Sequence, residues 1–372
     1  MTEVGTIASG VHRIPVRNLW LLMLYASTLY QQNSPQRMVG VEENPDDLLN
    51  VVGEILVTAV ERRLLRPLGH AYQERHAVLT RVRGRIDALT TESRMLLAQG
   101  KVACTFDDLT VDTARNRLLL TALHWAGRVV DDATTAQRAR ALALTFLQYG
   151  VQADSANWRA AASTRLGRND RNDAEAVAAA TLLLNMLIPT EDAGGRAGRD
   201  PERDAAIVRE LFERAVRGFY RTVLTPTWRV SRGETQRKWP ASEPTPGMRA
   251  MLPTMRTDIE LEREGRRIIV ETKFADALKP GFHGTRRLDR SHVFQLYAYV
   301  QSQSVYDELG RTAEGVLLYP TVGHHFDESA VIQGHRFRFV TVDLAASAAE
   351  IRARLLNAVD PWAPTDAAHA TG

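Results

Sequence analysis

The amino-acid sequence predicts two folded domains of mixed α and β structure, in the α+β and α/β classes. Its 372 residues exceed what one hydrophobic core usually holds. Helical spacing and strand-like alternation of apolar residues occur in both halves. A stretch rich in Pro, Gly and charge, PTEDAGGRAGRDPERD, separates the halves. We therefore predict an N-terminal domain over 1–190, a linker over 191–204, a second domain over 205–360 and a disordered tail over 361–372.

The N-terminal half alternates between helical and extended patterns. Asn44-Pro45-Asp46-Asp47 provides a helix start before apolar residues at helical spacing. Residues 72–112 alternate and are rich in β-branched side chains, which predicts strands. The predicted elements are an extended entry and helix over 14–30, a helix over 48–60, strands within 72–112, and helices over 116–130, 136–149 and 174–187.

The C-terminal half is predicted to begin and end with a helix and to hold its strands between them. The predicted elements are a helix over 205–220, strands over 222–230, 257–263 and 267–274, a helix from Ser291, strands over 315–319 and 337–343, and a helix over 346–358. Ser291 is the expected N-cap of its helix.

The composition indicates a cytoplasmic protein with no membrane part. The single cysteine, Cys104, excludes an intrachain disulfide framework and a multi-cysteine zinc site. The first residues have no apolar signal core, and the longest early apolar run, residues 19–26, is too short to span a bilayer. Lysine occurs four times among 47 cations, so 43 are arginine. That bias suits a polyanionic partner, but a GC-rich genome would produce it equally well.

The motif with the clearest chemistry lies in RTDIELEREGRRIIVETKF, residues 256–274. Asp258 opens the first of two predicted strands, which a turn at 264–266 joins. Glu271 and Lys273 are two residues apart in the second strand, so their side chains share a face. A hairpin can bring Asp258 beside them.

These residue types suit metal-dependent cleavage of a phosphodiester. Carboxylate oxygens hold Mg²⁺, and a lysine can orient the attacking water and stabilise developing charge. The alternative is a solvated cross-strand pair, which is common on exposed strands. The scarcity of lysine favours the chemical interpretation of Lys273, because most other positions use arginine.

Residues after this motif offer accessory and DNA-binding candidates. Gln295 and Tyr299 are four apart and share a helix face, although a surface glutamine and a core tyrosine would give the same pattern. Five basic residues before and at the start of this helix could bind a DNA backbone: Lys279, His283, Arg286, Arg287 and Arg290. The alternative is that they form a solvated loop.

Two further groups of charged residues leave their role open. Glu210 and Glu213 are possible extra metal contacts, and a surface role is favoured for both. Arg81, Arg83 and Arg85 alternate on a predicted strand and could touch a partner, DNA or solvent.

Several blocks in a fixed order resemble the McrC family over nearly the whole chain. They are IPVRNLWLLMLYAS (14–27), RGRID (83–87), TFDDLTVDTARNRLLLTAL (105–123), LPTMRTDIEL (252–261), IIVETK (268–273), FQLYAYV (294–300) and GVLLYP (315–320). The resemblance implies a PD-(D/E)xK nuclease domain, similar to restriction endonucleases, with a central mixed sheet flanked by helices. It places Asp258, Glu271 and Lys273 on the catalytic motif, with Asp258 and Glu271 as metal ligands. Gln295 and Tyr299 fall on accessory helix positions, while Thr257 replaces the motif's proline.

The resemblance also implies a Mg²⁺-dependent endonuclease subunit that cuts modified double-stranded DNA as a defence against foreign DNA. Its implied partner is a McrB-type AAA+ GTPase ring, to which the N-terminal domain docks and whose GTP hydrolysis it stimulates. This chain is expected to bind no nucleotide, because Gly100-Lys101 lacks the upstream glycine of a phosphate loop. The alternatives are a non-cutting adaptor that activates the GTPase and a free-standing RecB-like repair nuclease.

Overall fold

The computed structural model describes residues 6–9, 12–32, 47–153, 158–163, 173–192, 201–232, 239–280, 285–322 and 325–360. Contacts divide the chain into two compact units, residues 49–185 and residues 1–48 with 186–372. The predicted boundary at residue 190 lies near the second observed boundary, but the first 48 residues join the C-terminal unit. Residues 193–200 of the predicted linker and the predicted tail over 361–372 lie outside the described residues.

The chain begins with a short hairpin and two helices. They are β1 (Thr6–Ser9), β2 (His12–Pro15), α1 (Val16–Ala26) and α2 (Thr28–Gln32). The extended entry and apolar helix predicted over 14–30 are therefore confirmed.

The unit of residues 49–185 combines helices with a small antiparallel sheet of strand order β3-β5-β4. Its elements are α3 (Leu48–Leu64), β3 (Ala71–Leu79), β4 (Arg85–Ile86), α4 (Ala88–Ser93), β5 (Val102–Thr110), α5 (Ala114–Val129), α6 (Ala133–Gln148), α7 (Trp158–Ser163) and α8 (Ala174–Asp192). These elements confirm the predicted helices and strands. The predicted strand through the alternating arginines is wrong for Arg81 and Arg83, which precede β4.

The C-terminal part of the other unit carries the larger sheet. Its elements are α9 (Pro201–Leu224), β6 (Arg229–Arg232), α10 (Pro246–Met251), β7 (Ile259–Arg263), β8 (Arg266–Thr272), β9 (Leu278–Pro280), β10 (Arg286–Leu288), α11 (Arg290–Gln303), α12 (Glu308–Arg311), β11 (Glu314–Thr321), β12 (Asp327–Ile332), β13 (His335–Asp343) and α13 (Ala348–Val359).

Two predicted features of this part are wrong in detail. The strand predicted over 222–230 is wrong for residues 222–228, because α9 continues to Leu224 and β6 begins at Arg229. Asp289, not Ser291, is the N-cap of α11, and its carboxylate accepts a hydrogen bond from the Ser291 backbone N–H at 2.8 Å.

The N-terminal segment packs on α9, which explains why it joins the C-terminal unit. Gly218 allows the close approach, since a Cβ there would lie 2.0 Å from the Tyr25 carbonyl oxygen. The rings of Tyr25 and Phe219 lie 5.1 Å apart, and Asn18 Nδ2 donates to the Leu344 carbonyl at 2.6 Å. Apolar periodicity marks a helix as buried but does not say which helix covers it.

The larger sheet has six strands in the order β12-β13-β11-β8-β7-β6. Strand β11 is parallel to both β8 and β13, and the other pairs are antiparallel, so the sheet is mixed as predicted. Gly265 makes the tight β7–β8 turn with a left-handed φ of 70°. Helix α11 covers one face through Leu296 and Val300, which pack with Ile269 of the central strand.

No helix within the described ranges combines the length and the apolar character needed to cross a membrane.

Candidate active site

The β7–β8 hairpin places Asp258 beside the end of β8. The antiparallel register pairs Ile259 with Val270, so Asp258 and Glu271 are the next pair along the hairpin. The backbone N–H and the hydroxyl of Thr272 both donate to Asp258 Oδ2, each at 2.7 Å. Thr272 therefore fixes the orientation of this carboxylate, a role that the sequence motif alone did not indicate.

Glu271 is a buried carboxylate with one unsatisfied oxygen. Its side chain is 2% exposed, and its Oε1 accepts a hydrogen bond from Lys273 Nζ at 2.7 Å. Its Oε2 has no hydrogen-bond partner among the described residues. Burial raises the Glu271 pKa to about 7 and the Asp258 charge adds to this rise, whereas Lys273 and a hydrogen bond from the Asp258 backbone oppose it. Two carboxylates beside one ammonium leave the pair short of positive charge.

Lys273 links the strand to helix α11. Its Nζ donates to Gln295 Oε1 at 2.8 Å as well as to Glu271, and Gln295 Nε2 donates to the Tyr299 hydroxyl at 3.0 Å. The structure thus brings Asp258 and these four residues into one connected site. Gln295 and Tyr299 are both half-buried rather than divided between surface and core.

The two glutamates of α9 behave differently. Glu210 is 72% exposed, as the favoured surface role predicts. Glu213 is half-buried and pairs with Arg217, and its pKa is raised by burial and by the Asp258 charge. Glu213 therefore lies within the electrostatic reach of Asp258, and both the surface role favoured for it and the alternative metal contact stay predictions.

The basic residues predicted to grip DNA lie on the β9–β10 hairpin and the first turn of α11. Lys279 pairs with Asp289, while Arg286, Arg287 and Arg290 are exposed. The β9–β10 register places Arg287 opposite Lys279. His283 lies outside the described residues.

Asp258 and Glu271 are the residues at this site that fit a cation. Within the described ranges no group of three or more His, Cys, Asp or Glu side chains could hold a metal. Mg²⁺ commonly binds one or two carboxylates and takes its remaining ligands from water and substrate phosphates. The hard oxygens of this pair and the unsatisfied Glu271 Oε2 match that ion.

Sequence comparisons extend over most of the chain. The family model described as "McrBC 5-methylcytosine restriction system component" matches residues 6–320. A curated relative from Escherichia coli (strain K12), "Type IV methyl-directed restriction enzyme EcoKMcrBC", is 25% identical over 349 residues, which are 94% of this chain and 98% of the relative.

Two solved structures are also similar. One is a refined half-complex from a tetradecameric assembly of Thermococcus gammatolerans McrB AAA+ hexamers with bound McrC, with 13% identity, a TM-score of 0.37, and coverage of 92% of this chain and 76% of that one. The other is the cryo-EM structure of the Thermococcus gammatolerans McrBC complex, with 13% identity, a TM-score of 0.33, and coverage of 50% and 60%.

Proposed function

This chain belongs to the McrBC 5-methylcytosine restriction system component family, and we propose that it is the DNA-cutting subunit of such a system. The family assignment confirms the resemblance to McrC. The unit that contains residues 201–360 is its PD-(D/E)xK nuclease domain. Asp258, Glu271 and Lys273 form the catalytic centre.

The observation that carries the proposal is the unmatched carboxylate pair. Asp258 is held by Thr272 and Glu271 by Lys273, yet Glu271 Oε2 is buried without a hydrogen-bond partner among the described residues. A buried carboxylate charge without a hydrogen-bond partner raises the free energy of the folded state unless it is neutralised or coordinates a metal. A cation bound by both carboxylates would supply positive charge to the pair and a partner to that oxygen.

Each residue has a role that follows from its contacts. Asp258 and Glu271 hold Mg²⁺, which when bound neutralises phosphate charge and lowers the pKa of water. Lys273 Nζ has three N–H donors, and Glu271 and Gln295 accept two of them. The third is available to a phosphate oxygen or to the attacking water. Gln295 and Tyr299 keep the ammonium in place.

Residues 49–185 form the unit proposed to dock on a McrB-type AAA+ GTPase ring and to stimulate its GTP hydrolysis. The curated relative is named as a McrBC restriction enzyme, which motivates this partner. Several large apolar side chains of the unit are exposed, as a docking surface requires. They include Tyr72, Val82, Leu89, Met95 and Leu97.

The test is a cutting assay on the assembled system. We expect the chain, purified with the AAA+ protein encoded beside it, to cut DNA containing 5-methylcytosine when Mg²⁺ and GTP are present. Asp258→Asn and Lys273→Ala should each reduce cutting by at least about 10²- to 10³-fold, since the first removes a metal ligand and the second removes a group that stabilises transition-state charge. GTP hydrolysis should be retained, because both residues lie outside the docking unit.

Glu264→Ala is the matched control, because Glu264 is an exposed acid in the turn of the same hairpin. It should cut like the wild type. Cutting by Asp258→Asn at the wild-type rate would show that the assigned site is wrong. GTPase stimulation without cutting by the wild type would support the adaptor, and cutting without any GTPase would support the free-standing nuclease.

A further inference from the structure

His292 lies on the same face of helix α11 as the accessory residues of the site. It precedes Gln295 by three positions and Tyr299 by seven, spacings that place all three side chains along one stripe. Gln295 holds Lys273, so the stripe borders the reactive end of β8. The Lys273 charge also lowers the pKa of His292.

The ring of His292 is anchored to strand β11. Tyr319 follows Leu318, whose carbonyl accepts the Lys273 backbone N–H at 2.9 Å, so Tyr319 is the neighbour of Lys273 across the parallel strands. Tyr319 is fully buried, and its hydroxyl lies 3.2 Å from His292 Nδ1. The two rings are 5.8 Å apart.

This contact determines which nitrogen of His292 carries the proton. Burial raises the pKa of Tyr319, so its hydroxyl keeps its hydrogen at neutral pH. Within the described part of the chain, His292 is the hydrogen-bond partner of that hydroxyl. A buried hydroxyl hydrogen needs an acceptor, and Nδ1 provides one only when it is unprotonated.

The remaining proton of the neutral ring is therefore on Nε2. Burial lowers the pKa of His292, Lys273 and Lys279 lower it further, and Asp289 opposes them, so the ring is neutral at pH 7 and above. A neutral ring with Nδ1 occupied presents one N–H donor, at Nε2. Phosphate oxygens accept hydrogen bonds and cannot donate them, so they are complementary to this donor.

We propose that His292 Nε2–H binds a non-bridging phosphate oxygen of the DNA strand at the Asp258–Glu271–Lys273 site. This inference rests on the proposed nuclease function and adds a substrate contact that the motif does not contain. Exposed Arg290 lies on the same helical turn, so a phosphate that approaches the N-terminal end of α11 meets positive charge there.

The first test compares three substitutions in the assembled complex. His292→Gln keeps an N–H donor near the Nε2 position, whereas His292→Ala removes it, and Tyr319→Phe removes the hydrogen bond that selects the tautomer. We expect His292→Ala to lower kcat/KM about tenfold through KM, His292→Gln to stay within about threefold of the wild type, and Tyr319→Phe to fall between them. Wild-type kinetics in His292→Ala, or equal losses in the Ala and Gln variants, would overturn the inference.

DNA affinity measured in Ca²⁺, without cutting, separates this inference from the proposed function. The affinity of His292→Ala for a DNA duplex should be about tenfold weaker than that of the wild type, and His292→Gln should bind nearly as the wild type does. If the wild type binds DNA but never cuts it, the proposed function fails while the order of affinities still tests His292. Equal affinities of the wild type and His292→Ala would contradict the inference even if cutting is normal.

A spectroscopic measurement tests the tautomer directly on the full chain. In ¹⁵N-histidine-labelled protein at pH 8, the His292 resonances, assigned by their loss in His292→Gln, should show protonated Nε2 and unprotonated Nδ1. Tyr319→Phe should move them towards a mixture of tautomers. A ring protonated on Nδ1 in the wild type would contradict the inference.

Discussion

The two ends of one face of strand β8 both bury charge, but they do so in opposite ways. Arg267 lies near the start of the strand and Glu271 near its end, with Ile269 between them on the same face. Arg267 is 3% exposed and Glu271 is 1% exposed. Because the two side chains are equally buried, differences between the two ends come from the charged groups around them.

The Arg267 end is a cluster of ion pairs. Arg267 nitrogens lie 3.2 Å from Glu260, 2.6 Å from Glu262 and 2.7 Å from Asp307, and Arg229 also pairs with Glu262. Burial alone would raise the Glu262 pKa, but the hydrogen bonds from Arg229 and Arg267 outweigh it and lower that pKa. The two arginines therefore hold Glu262 in its charged form.

At the Glu271 end the carboxyl pKa is shifted in the opposite direction. Burial and the charge of Asp258 raise the pKa of Glu271, and Lys273 and the Asp258 backbone N–H do not offset them. Burial of charge by itself therefore does not identify a functional site. The distinguishing feature is the direction of the pKa shift, which is downward for Glu262 and upward for Glu271. A carboxylate that its neighbours do not stabilise in the charged form gains from binding a cation.

The largest expected effect is at the Arg267 end. Arg267→Ala should lower the free energy of unfolding by about 3–5 kcal/mol, because it leaves buried carboxylates without their cation. Urea unfolding followed by circular dichroism measures this loss. Arg267→Lys, which keeps the charge but loses the planar fork of donors, should lose less. A loss below about 1 kcal/mol in Arg267→Ala would show that the cluster is solvated rather than buried.

Glu262→Gln should produce a smaller loss that depends on pH. Hydrogen bonds to a charged group are worth about 1.5–3 kcal/mol, so we expect a loss of that size at pH 7. A carboxyl whose folded pKa is depressed contributes stability above its unfolded pKa of about 4.5 and loses it as the pH falls through the folded pKa. The difference in unfolding free energy between wild type and variant should therefore shrink from pH 7 towards pH 3. A constant difference would contradict this account.

Glu271→Gln is the matching change at the other end. In metal-free buffer at pH 7.5 it should cost at most about 1 kcal/mol or should stabilise the chain, because it removes a buried charge that repels Asp258. The amide oxygen can still accept from Lys273. Urea unfolding in EDTA checks this prediction. A loss as large as that of Glu262→Gln would show that both ends are structural.

Tyr299→Phe should have the smallest effect. It removes the hydroxyl that accepts from Gln295 Nε2 and leaves the direct Gln295–Lys273 hydrogen bond intact. We expect a loss of about threefold in cutting rate and less than about 1 kcal/mol in stability. Gln295→Ala, which removes the direct bond to Lys273, serves as the comparison and should cut more slowly. Equal rates for the two variants would contradict the proposed chain of contacts.

Much of the local structure could be predicted because it depends on short-range patterns. The period-2 spacing of Glu271 and Lys273 and the turn at Gly265 indicated the hairpin, and the structure contains it. Helical spacing likewise indicated α3 and α11. Boundaries were less exact, as Asp289 rather than Ser291 caps α11.

Long-range features could not be predicted from these patterns. The packing of α1 on α9 depends on the small surface of Gly218, which carries no periodic signal. The Tyr319–His292 contact joins residues 27 apart, and the influence of Asp258 on Glu213 joins residues on different elements. Each depends on how elements pack, and a single sequence does not state that packing.

The most direct test of the central claim is the binding of Mg²⁺ to the purified full-length chain, measured by isothermal titration calorimetry. We expect one site in the wild type that is lost in both Asp258→Asn and Glu271→Gln and is retained in Glu262→Gln and Glu264→Ala. Unchanged Mg²⁺ binding in the first two variants, or its loss in Glu262→Gln, would contradict the assignment of the unmatched carboxylate pair as the metal site.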